Sequence, residues 1–341
     1  MNANFNEPTP TLDSYWRSII LIGNNVASYK FALAQSLFEV GEKDASFITL
    51  EELAIPFSRN ICAHLKIKDK QGTSSSSQFL DACRKFNNHE ITNEVLVDST
   101  ARLGFANVVN AFHVVSQENI KIQFFIDDRK TKKGITITDD FFKLKELFQY
   151  QNLPRETEAR WNLVETAWSQ NLNPALLEIV NDSSTNNLFR RSDSLRRGIT
   201  SSRDALNGYQ RGKCFYSFSD ISILTGSEIL ADVDHFFPYS LKNKLKGLNL
   251  DGVWNLVLAS KDCNRGESGK FDKIPDRKYL KRLHRRNSYL INSHHPLRES
   301  LILQTGRTDD QRQHFLKEAY ARAINANPTT WRAPLELEPQ F

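Results

Sequence analysis

Hydrophobic spacing in the first half of the chain predicts helices. Apolar residues recur three and four positions apart in "YKFALAQSLFEV" (29–40) and in "LPRETEARWNLVETAWSQNL" (153–172), as on a helix with one buried face. Thr49 followed three residues later by Glu52 is the capping-box arrangement that begins a helix. Residues 1–16 are polar and contain prolines, so we expect a loose lead-in there.

A change to alternating apolar and polar positions predicts one hairpin in this half. The segments "IKIQFFIDD" and "GITIT" are typical of strands joined by the charged turn 128–133, and helices are expected over 102–115 and from Thr138. These elements predict a mostly helical N-terminal domain over residues 1–180 with a small β-hairpin. A winged-helix-like module that binds DNA and a helical interaction or scaffold domain both fit this pattern.

The second half begins after "NDSSTNN" at 181–187, a polar and aperiodic stretch that indicates a domain boundary. A predicted strand ends within "ADVDHFFPYS" (231–240), where a proline stops the pairing. After a loop, a second strand is predicted at "NLVLAS" (255–260), and Ser260 can cap a helix that begins "KDCNRGESGK". The local order is therefore strand, loop, strand, helix, which can fold around one shared cleft.

Further helices are expected from Pro275 and near 309–324, followed by an extended tail. The 341 residues are enough for two domains that each bury a core. The sequence therefore predicts an α+β protein with a second domain over residues 188–300 and a C-terminal helix and tail over 301–341.

Charge divides the chain unevenly. Leu188–Leu290 holds 20 Lys and Arg against 11 Asp and Glu, a net of +9, whereas the rest holds 25 against 29, and the whole chain carries +5. A basic region beside a mildly acidic one suggests that the basic region meets a polyanion. A solvated charged surface explains the same counts.

Cysteine usage and the N-terminus indicate the compartment. Four scattered cysteines are too few for a disulfide framework, which fits a reducing cytoplasm. The N-terminus has no basic n-region, and its apolar run at 19–22 is too short to target or span a membrane. We therefore expect a cytoplasmic protein with no membrane partner.

The chemistry-bearing residues gather around the two predicted strands. A hard cation such as Mg²⁺ or Mn²⁺ prefers oxygen ligands and keeps several waters, so Asp234 and Asn264 are enough to hold one. His235 is suited to take a proton from water near neutral pH, provided that a strand irregularity turns it toward Asp234. Asn255 can hold the loop after the histidine. Flanking phosphates would be contacted by Arg265, Lys270 and Lys273.

This ordered set resembles the HNH endonuclease family, the ββα-metal nucleases. The matching segments are "GKCFYS" (212–217), "DVDHFFPYS" (232–240), "NLVLAS" and "KDCNRGESGK", within residues 203–275. The resemblance is strongest to the zinc-free HNH domain of the RNA-guided CRISPR nucleases. It implies metal-dependent hydrolysis of DNA phosphodiester bonds that leaves a 5′-phosphate, in a restriction-like or anti-phage defence setting.

By the same resemblance, each candidate residue receives a role. Asp234 and Asn264 match the metal ligands, His235 matches the general base, and Asn255 matches the residue that braces the histidine loop. If Asp234 and His235 instead form a plain strand-end pair and Asn264 a helix terminus, none of these roles applies.

The sequence departs from many HNH domains in its cysteines. Two CxxC pairs that bind zinc are common in the family, but here only Cys214 and Cys263 remain, and two thiols cannot complete a tetrahedral site. His294 and His295 would have to supply the other ligands, and they are better explained as a polar loop. We therefore expect no structural zinc and interpret the two cysteines as core or loosely packed thiols.

Two basic stretches extend beyond the motif. On a helix from Pro275, Lys278, Arg282 and Arg285 are expected to face outward and to follow a phosphate backbone. A merely solvated helix is the alternative. "RRSDSLRR" at 190–197 is either a second phosphate contact or a flexible basic linker.

Three functional hypotheses follow. The first is an active DNA nuclease. The second is a nucleic-acid-binding or protein-interaction module that carries an inactive HNH fold. In the third, the N-terminal domain recruits a protein partner of the same system and the nuclease is its effector.

Overall fold

The chain forms two compact units, Met1–Asn171 and Leu172–Phe341. The computed structural model describes residues 10–21, 27–72, 76–115, 118–169, 179–182, 185–190, 200–292 and 297–341. Both units combine helices with short, mostly antiparallel sheets, which confirms the α+β class.

The first unit is mostly helical. Its helices are α1 (Leu12–Leu21), α2 (Tyr29–Gly41), α3 (Leu50–Ile67), α4 (Gln78–Asn87), α5 (Asn93–Leu103), α6 (Val108–Ala111), α7 (Asp139–Glu146) and α8 (Leu153–Ser169). Its strands are β1 (Phe47–Thr49), β2 (Val114–Val115), β3 (Glu118–Asn119), β4 (Phe125–Asp127) and β5 (Gly134–Ile137), and a 3-10 turn covers Phe148–Asn152.

Several predicted elements of this unit are confirmed. Helices α2 and α8 cover the two segments with helical spacing, and the Thr49–Glu52 capping box is present at the start of α3. The predicted hairpin is β4 and β5, which pair antiparallel with Ile126 opposite Thr136. Strand β1 adds to β5 and completes a three-stranded sheet.

Two predictions for this unit were wrong. Residues 12–16 belong to α1, because Trp16 is buried against four phenylalanine rings, the nearest with ring centroids 4.8 Å apart. The segment 102–115 is not one helix: α5 ends at Leu103, α6 follows, and the chain then enters β2. The guanidinium of Arg129 donates a hydrogen bond to the carbonyl of Phe105. In a continuous helix, that carbonyl would accept from a backbone amide of the next turn.

The second unit has smaller sheets and long C-terminal helices. Its strands are β6 (Ile179–Asp182), β7 (Asn187–Arg190), β8 (Thr200–Ser201), β9 (Asp232–His235), β10 (Leu256–Ala259), β11 (Ile274–Pro275) and β12 (Thr330–Trp331). Its helices are α9 (Ser202–Gln210), α10 (Lys261–Arg265), α11 (Arg277–Asn292), α12 (Arg298–Thr305) and α13 (Asp309–Ala326), and 3-10 turns cover Tyr239–Leu241 and Val253–Asn255.

The stretch interpreted as a boundary, 181–187, begins and ends within two paired strands of this unit. Asn181 and Asp182 belong to β6 and Asn187 to β7, the two strands pair antiparallel, and Asn186 adopts a left-handed backbone conformation with φ 53°. Short polar side chains suit such a turn as well as they suit a linker, so composition does not separate the two.

The C-terminal segment belongs to the second unit. Helix α13 packs on α11 and α12, and β12 pairs in parallel with β11 through Pro275 and Trp331. Trp331 also donates from its indole nitrogen to the carbonyl of Ser268 at 2.7 Å, so the tail covers the loop after α10. Across the described residues of both units, every helix falls short of the length and apolar character needed to cross a membrane.

Candidate active site

The candidate site is built on the antiparallel pair of β9 and β10. Asp234 lies opposite Val257 and His235 lies opposite Leu256. Side chains alternate along a strand, so Asp232 and Asp234 share one face of β9 while His235 points to the other. All four residues of β10 are buried, which anchors the strand that carries the polar groups.

Asp234 is enclosed by a phenol and an ammonium group. Its carboxylate accepts a hydrogen bond from the Tyr216 hydroxyl at 2.6 Å and contacts the Lys270 ammonium at 3.1 Å. Burial, together with the negative charge of Asp234, holds the pKa of Tyr216 well above its usual value. The hydroxyl therefore stays protonated and donates to the carboxylate.

Asn264 contacts Asp232 rather than Asp234. Ser260 caps helix α10 through its hydroxyl, which accepts from the Cys263 amide, and the last turn of the helix brings the Asn264 amide nitrogen to 3.1 Å from the Asp232 carboxylate. Gly266 follows the helix, and glycine is required there because a β-carbon would lie 2.7 Å from the backbone of Asp262. Asp232, on the same face of β9 as Asp234, is thus a further oxygen-bearing side chain beside Asn264, in addition to the two predicted ligands Asp234 and Asn264.

His235 lies beside an acidic residue of the loop between the strands. Its Nε2 is 3.2 Å from the Asp251 carboxylate, and its imidazole ring is 5.6 Å from the ring of Tyr239. The imidazole keeps 12% of its surface exposed. A proton on Nε2 that is donated to Asp251 leaves the Nδ1 lone pair to accept another.

Asn255 braces the backbone that follows the histidine. Its side-chain oxygen accepts from the Phe237 amide at 2.8 Å, and its amide nitrogen donates to the carbonyls of Phe237 and Leu250. The residue is fully buried, so these hydrogen bonds hold the two ends of the loop together. This is the bracing expected for Asn255.

The three expected phosphate contacts near α10 differ in their exposure. Arg265 forms a bidentate pair with Asp232 and keeps 61% of its side chain exposed. Lys273 is half-buried and donates to the carbonyl of Gly269. Lys270 is 1% exposed and binds Asp234 and the His235 carbonyl, so a surface phosphate contact is wrong for it. It is a buried counter-charge of the site.

The outward face expected for α11 also needs correction. Arg282 is mostly buried: its guanidinium donates to the carbonyls of Phe215 and Tyr216 and lies 4.0 Å from the ring centroid of Phe218. Lys278 is exposed, but both cations pair with Glu336 of the tail. Of the three, Arg285 alone is exposed without a carboxylate partner among the described residues.

A buried arginine that the sequence analysis did not single out supports β10. Arg286 donates to the carbonyls of Val253, Trp254 and Leu256, the last at 2.6 Å. Burial lowers its pKa to about 10, so it keeps its charge at neutral pH. Its position three residues from Leu283 on α11 was the available signal, because both then face inward.

The cysteines behave as buried thiols in mutual contact. Burial opposes ionisation of Cys214, whereas hydrogen bonding with the Cys263 thiol and with neighbouring groups lowers its pKa. The Cys214 sulfur also accepts from the Ser260 amide at 3.3 Å. His294, His295 and residues 191–197 lie outside the described residues.

The donor chemistry of the site suits a hard divalent cation. In the described part of the chain, no three His, Cys, Asp or Glu side chains cluster as a metal site. Asp232, Asp234 and Asn264 nevertheless offer two carboxylates and one amide oxygen, the ligand type that Mg²⁺ prefers with retained waters. Lys270 already places one positive charge 3.1 Å from the Asp234 carboxylate, so a metal ion at Asp234 would share or replace this contact.

No family model, curated protein or solved structure matches the chain.

Proposed function

We propose that this protein is a metal-dependent HNH-type endonuclease that hydrolyses phosphodiester bonds in DNA. The observation that carries the proposal is the meeting of β9 with α10, where Asn264 contacts Asp232 on the strand that also bears Asp234 and His235. Two carboxylates and an imidazole therefore occupy three of the four positions of β9, with His235 on the opposite strand face from the two aspartates, and an amide lies on the helix that follows β10. Hydrolysis at this edge of β9 requires the imidazole to reach a phosphate that is bound on the aspartate face.

The chain's own residues divide the chemistry. His235 accepts a proton from the attacking water, while Asp251 orients the ring and stabilises the imidazolium that forms. Asn255 fixes the loop that carries the ring. A Mg²⁺ or Mn²⁺ ion held by Asp234 and Asn264, with Asp232, would stabilise charge on the departing 3′-oxygen.

Exposed aromatic residues beside the site favour a nucleic acid substrate. Tyr239 is 42% exposed next to the His235 ring, and Phe271, which directly follows Lys270, is 52% exposed. Flat exposed rings are suited to stack on bases, and the basic charge of Leu188–Leu290 suits the phosphates. DNA rather than RNA rests on the HNH resemblance alone.

The biological setting is a further part of the proposal. A restriction-like or anti-phage defence system in the cytoplasm fits a DNA nuclease joined to a helical N-terminal unit. The N-terminal unit would select the target through a winged-helix-like contact with DNA, or it would recruit a protein partner of the same system.

The test is nicking of supercoiled plasmid with Mg²⁺ or Mn²⁺. His235→Ala should lower the cleavage rate by about 10² to 10⁴-fold, the usual contribution of a general base. His314→Ala is the matched control, because His314 is an exposed histidine on α13. Asp234→Asn and Asn264→Ala should also be inactive. Equal rates for His235→Ala and wild type would refute the assignment.

A binding module with an inactive HNH fold is the second candidate, and one contact favours it. Lys270 neutralises Asp234 inside the protein, so the carboxylate is already balanced without a metal. This candidate predicts salt-dependent DNA binding, no cleavage with either metal, and no effect of His235→Ala on binding.

A further inference from the structure

We propose that a cationic groove between α11 and α13 binds the phosphate backbone of nucleic acid. The groove encloses about 330 Å³, within the range of ligand pockets. Arg277 and Lys281 line it from α11 and Lys317 lines it from α13. Of the phosphate contacts predicted from the sequence, Lys278 and Arg282 lie on the neighbouring row of α11, and Arg285 continues the row of Arg277 and Lys281.

The three cations of the groove are exposed and uncompensated. Arg277, Lys281 and Lys317 have no carboxylate within ion-pair distance in the part of the chain that the structure describes. By contrast, Lys278 and Arg282 on the neighbouring row of α11 are both neutralised by Glu336. Glu336 thus neutralises one row of α11, whereas the row of Arg277 and Lys281 has no comparable counter-charge among the described residues.

Like charges at this spacing cost stability. Arg277 and Lys281 are four residues apart on α11, and Arg285 continues the same row as an exposed cation. Neighbouring like charges four residues apart destabilise a helix, and Lys317 adds a third positive charge across the groove. An anionic ligand that bridges the two helices would remove this repulsion.

The floor and the rim of the groove limit what fits. Leu280 and Leu316 are buried beneath it, and His284 and Gln313 complete its lining. Asp309 contacts both of the latter side chains, but it is also paired with Arg312. The lining itself holds no carboxylate, so the groove suits phosphate groups above an apolar base.

Both helices of the groove also contact the loop between β9 and β10, which follows His235. On α13, the Phe315 ring lies 4.9 Å from the Trp254 ring and the Tyr320 ring lies 6.4 Å from the Phe237 ring. On α11, Arg286 binds the carbonyls at the start of β10. A strand held in the groove is therefore held by the elements that position the loop after His235. The choice of nucleic acid as the polyanion rests on the proposed function.

The test measures binding of a labelled DNA duplex to the intact chain by fluorescence anisotropy, with chelator present and Mg²⁺ withheld. The triple variant Arg277→Gln, Lys281→Gln, Lys317→Gln should weaken binding tenfold or more at about 0.1 M salt. The slope of log K against log salt should flatten by about 2 to 3, because each phosphate contact contributes about 0.9. Its thermal midpoint should not fall, because repulsion is relieved.

The matched control removes the same charge elsewhere. Lys66→Gln, Lys85→Gln, Lys143→Gln replaces three exposed helix lysines of the first unit and should weaken binding less than the groove variant does. Equal weakening by both triple variants, or by neither, would overturn the groove. Equal competition by poly-glutamate would overturn nucleic acid as its ligand. The binding assay contains no metal and so does not depend on cleavage. A failure to cleave plasmid DNA in the separate assay with metal would overturn the enzyme proposal and leave the binding result unchanged.

Discussion

The two units bury charged side chains in different ways. In the first, Arg17 is enclosed with Asp13 and Glu156, and its guanidinium binds Glu156 through two parallel hydrogen bonds of 2.7 and 2.8 Å. In the second, Asp234 is enclosed with Lys270, but Asp232 beside it pairs with a largely exposed arginine. One cluster is closed on all sides and the other opens toward solvent.

The difference separates a structural cluster from a candidate site. A closed cluster has every donor and acceptor matched, so it stabilises packing and offers nothing to a ligand. At β9 the inner carboxylate is fixed, whereas the hydrogen bonds of Asn264 and Arg265 to Asp232 lie at the edge that faces solvent. Buried charge by itself therefore does not mark a candidate site, but a buried charge with an open edge does.

The largest effect is expected from breaking the closed cluster. Arg17→Ala leaves two buried carboxylates without their shared counter-charge, so the free energy of unfolding should fall by about 3 to 5 kcal/mol. Urea unfolding followed by circular dichroism measures it. Arg59→Ala is the control: Arg59 pairs with Glu39 at the surface, and such pairs contribute about 1 kcal/mol or less. Similar losses in both variants would contradict the difference between the closed cluster and a surface ion pair.

The second effect probes the open cluster. Lys270→Met leaves Asp234 as an uncompensated buried carboxylate and should cost about 3 kcal/mol without metal. Mg²⁺ should then raise the thermal midpoint of this variant more than that of wild type, because an ion that binds the folded state stabilises it. Lys213→Met, which removes a partly exposed partner of Asp220, should show no such gain. An equal rise of the thermal midpoint with Mg²⁺ in wild type and both variants would show that Asp234 does not bind the cation.

Local signals in the sequence were enough for the elements of the site. The alternation before Pro238, the apolar run of β10 and the Ser260 cap each depend on near neighbours, and each is observed. The same holds for the Thr49 cap of α3. Motif order also brought out Asn255, whose hydrogen bonds reach residues 5 and 18 positions away.

Ion-pair and hydrogen-bond partners that are distant in the chain could not be predicted from the sequence, because tertiary packing brings them together. Asp251 meets His235 across a loop whose path has no local signature. Glu336 of the tail neutralises Lys278 and Arg282, so the outward row of α11 could be identified only once the tail was placed. Asp232 had a signal that went unused: it lies two residues before Asp234 and therefore on the same strand face.

A third prediction uses pH to test the first unit. His113 is buried near Lys30, and its Nε2 accepts from the Phe124 amide, so burial and that charge lower its pKa to about 4. Below its unfolded pKa of about 6.5 the unfolded chain takes a proton that the folded chain refuses, and stability falls as pH drops toward 4. The loss should reach about 2 kcal/mol at pH 5 relative to pH 7.

The measurement is urea unfolding at both pH values. His113→Gln should abolish about 2 kcal/mol of the difference between pH 7 and pH 5, because glutamine does not titrate. His89→Gln is the control, since His89 is exposed. If both variants keep the wild-type pH dependence, His113 is not held neutral by the fold.

The smallest effect is expected from removing the charge of Asp251 while keeping a hydrogen-bond partner for His235. Asp251→Asn keeps a hydrogen-bond partner for His235 but removes the charge that stabilises its imidazolium, so kcat for DNA cleavage should fall about tenfold, or about 1.4 kcal/mol, with KM unchanged. Asp220→Asn, an exposed residue of the same unit, should leave both constants as in wild type. A rise in KM at constant kcat would instead assign Asp251 to DNA binding, and an unchanged kcat would show that the carboxylate does not act through His235.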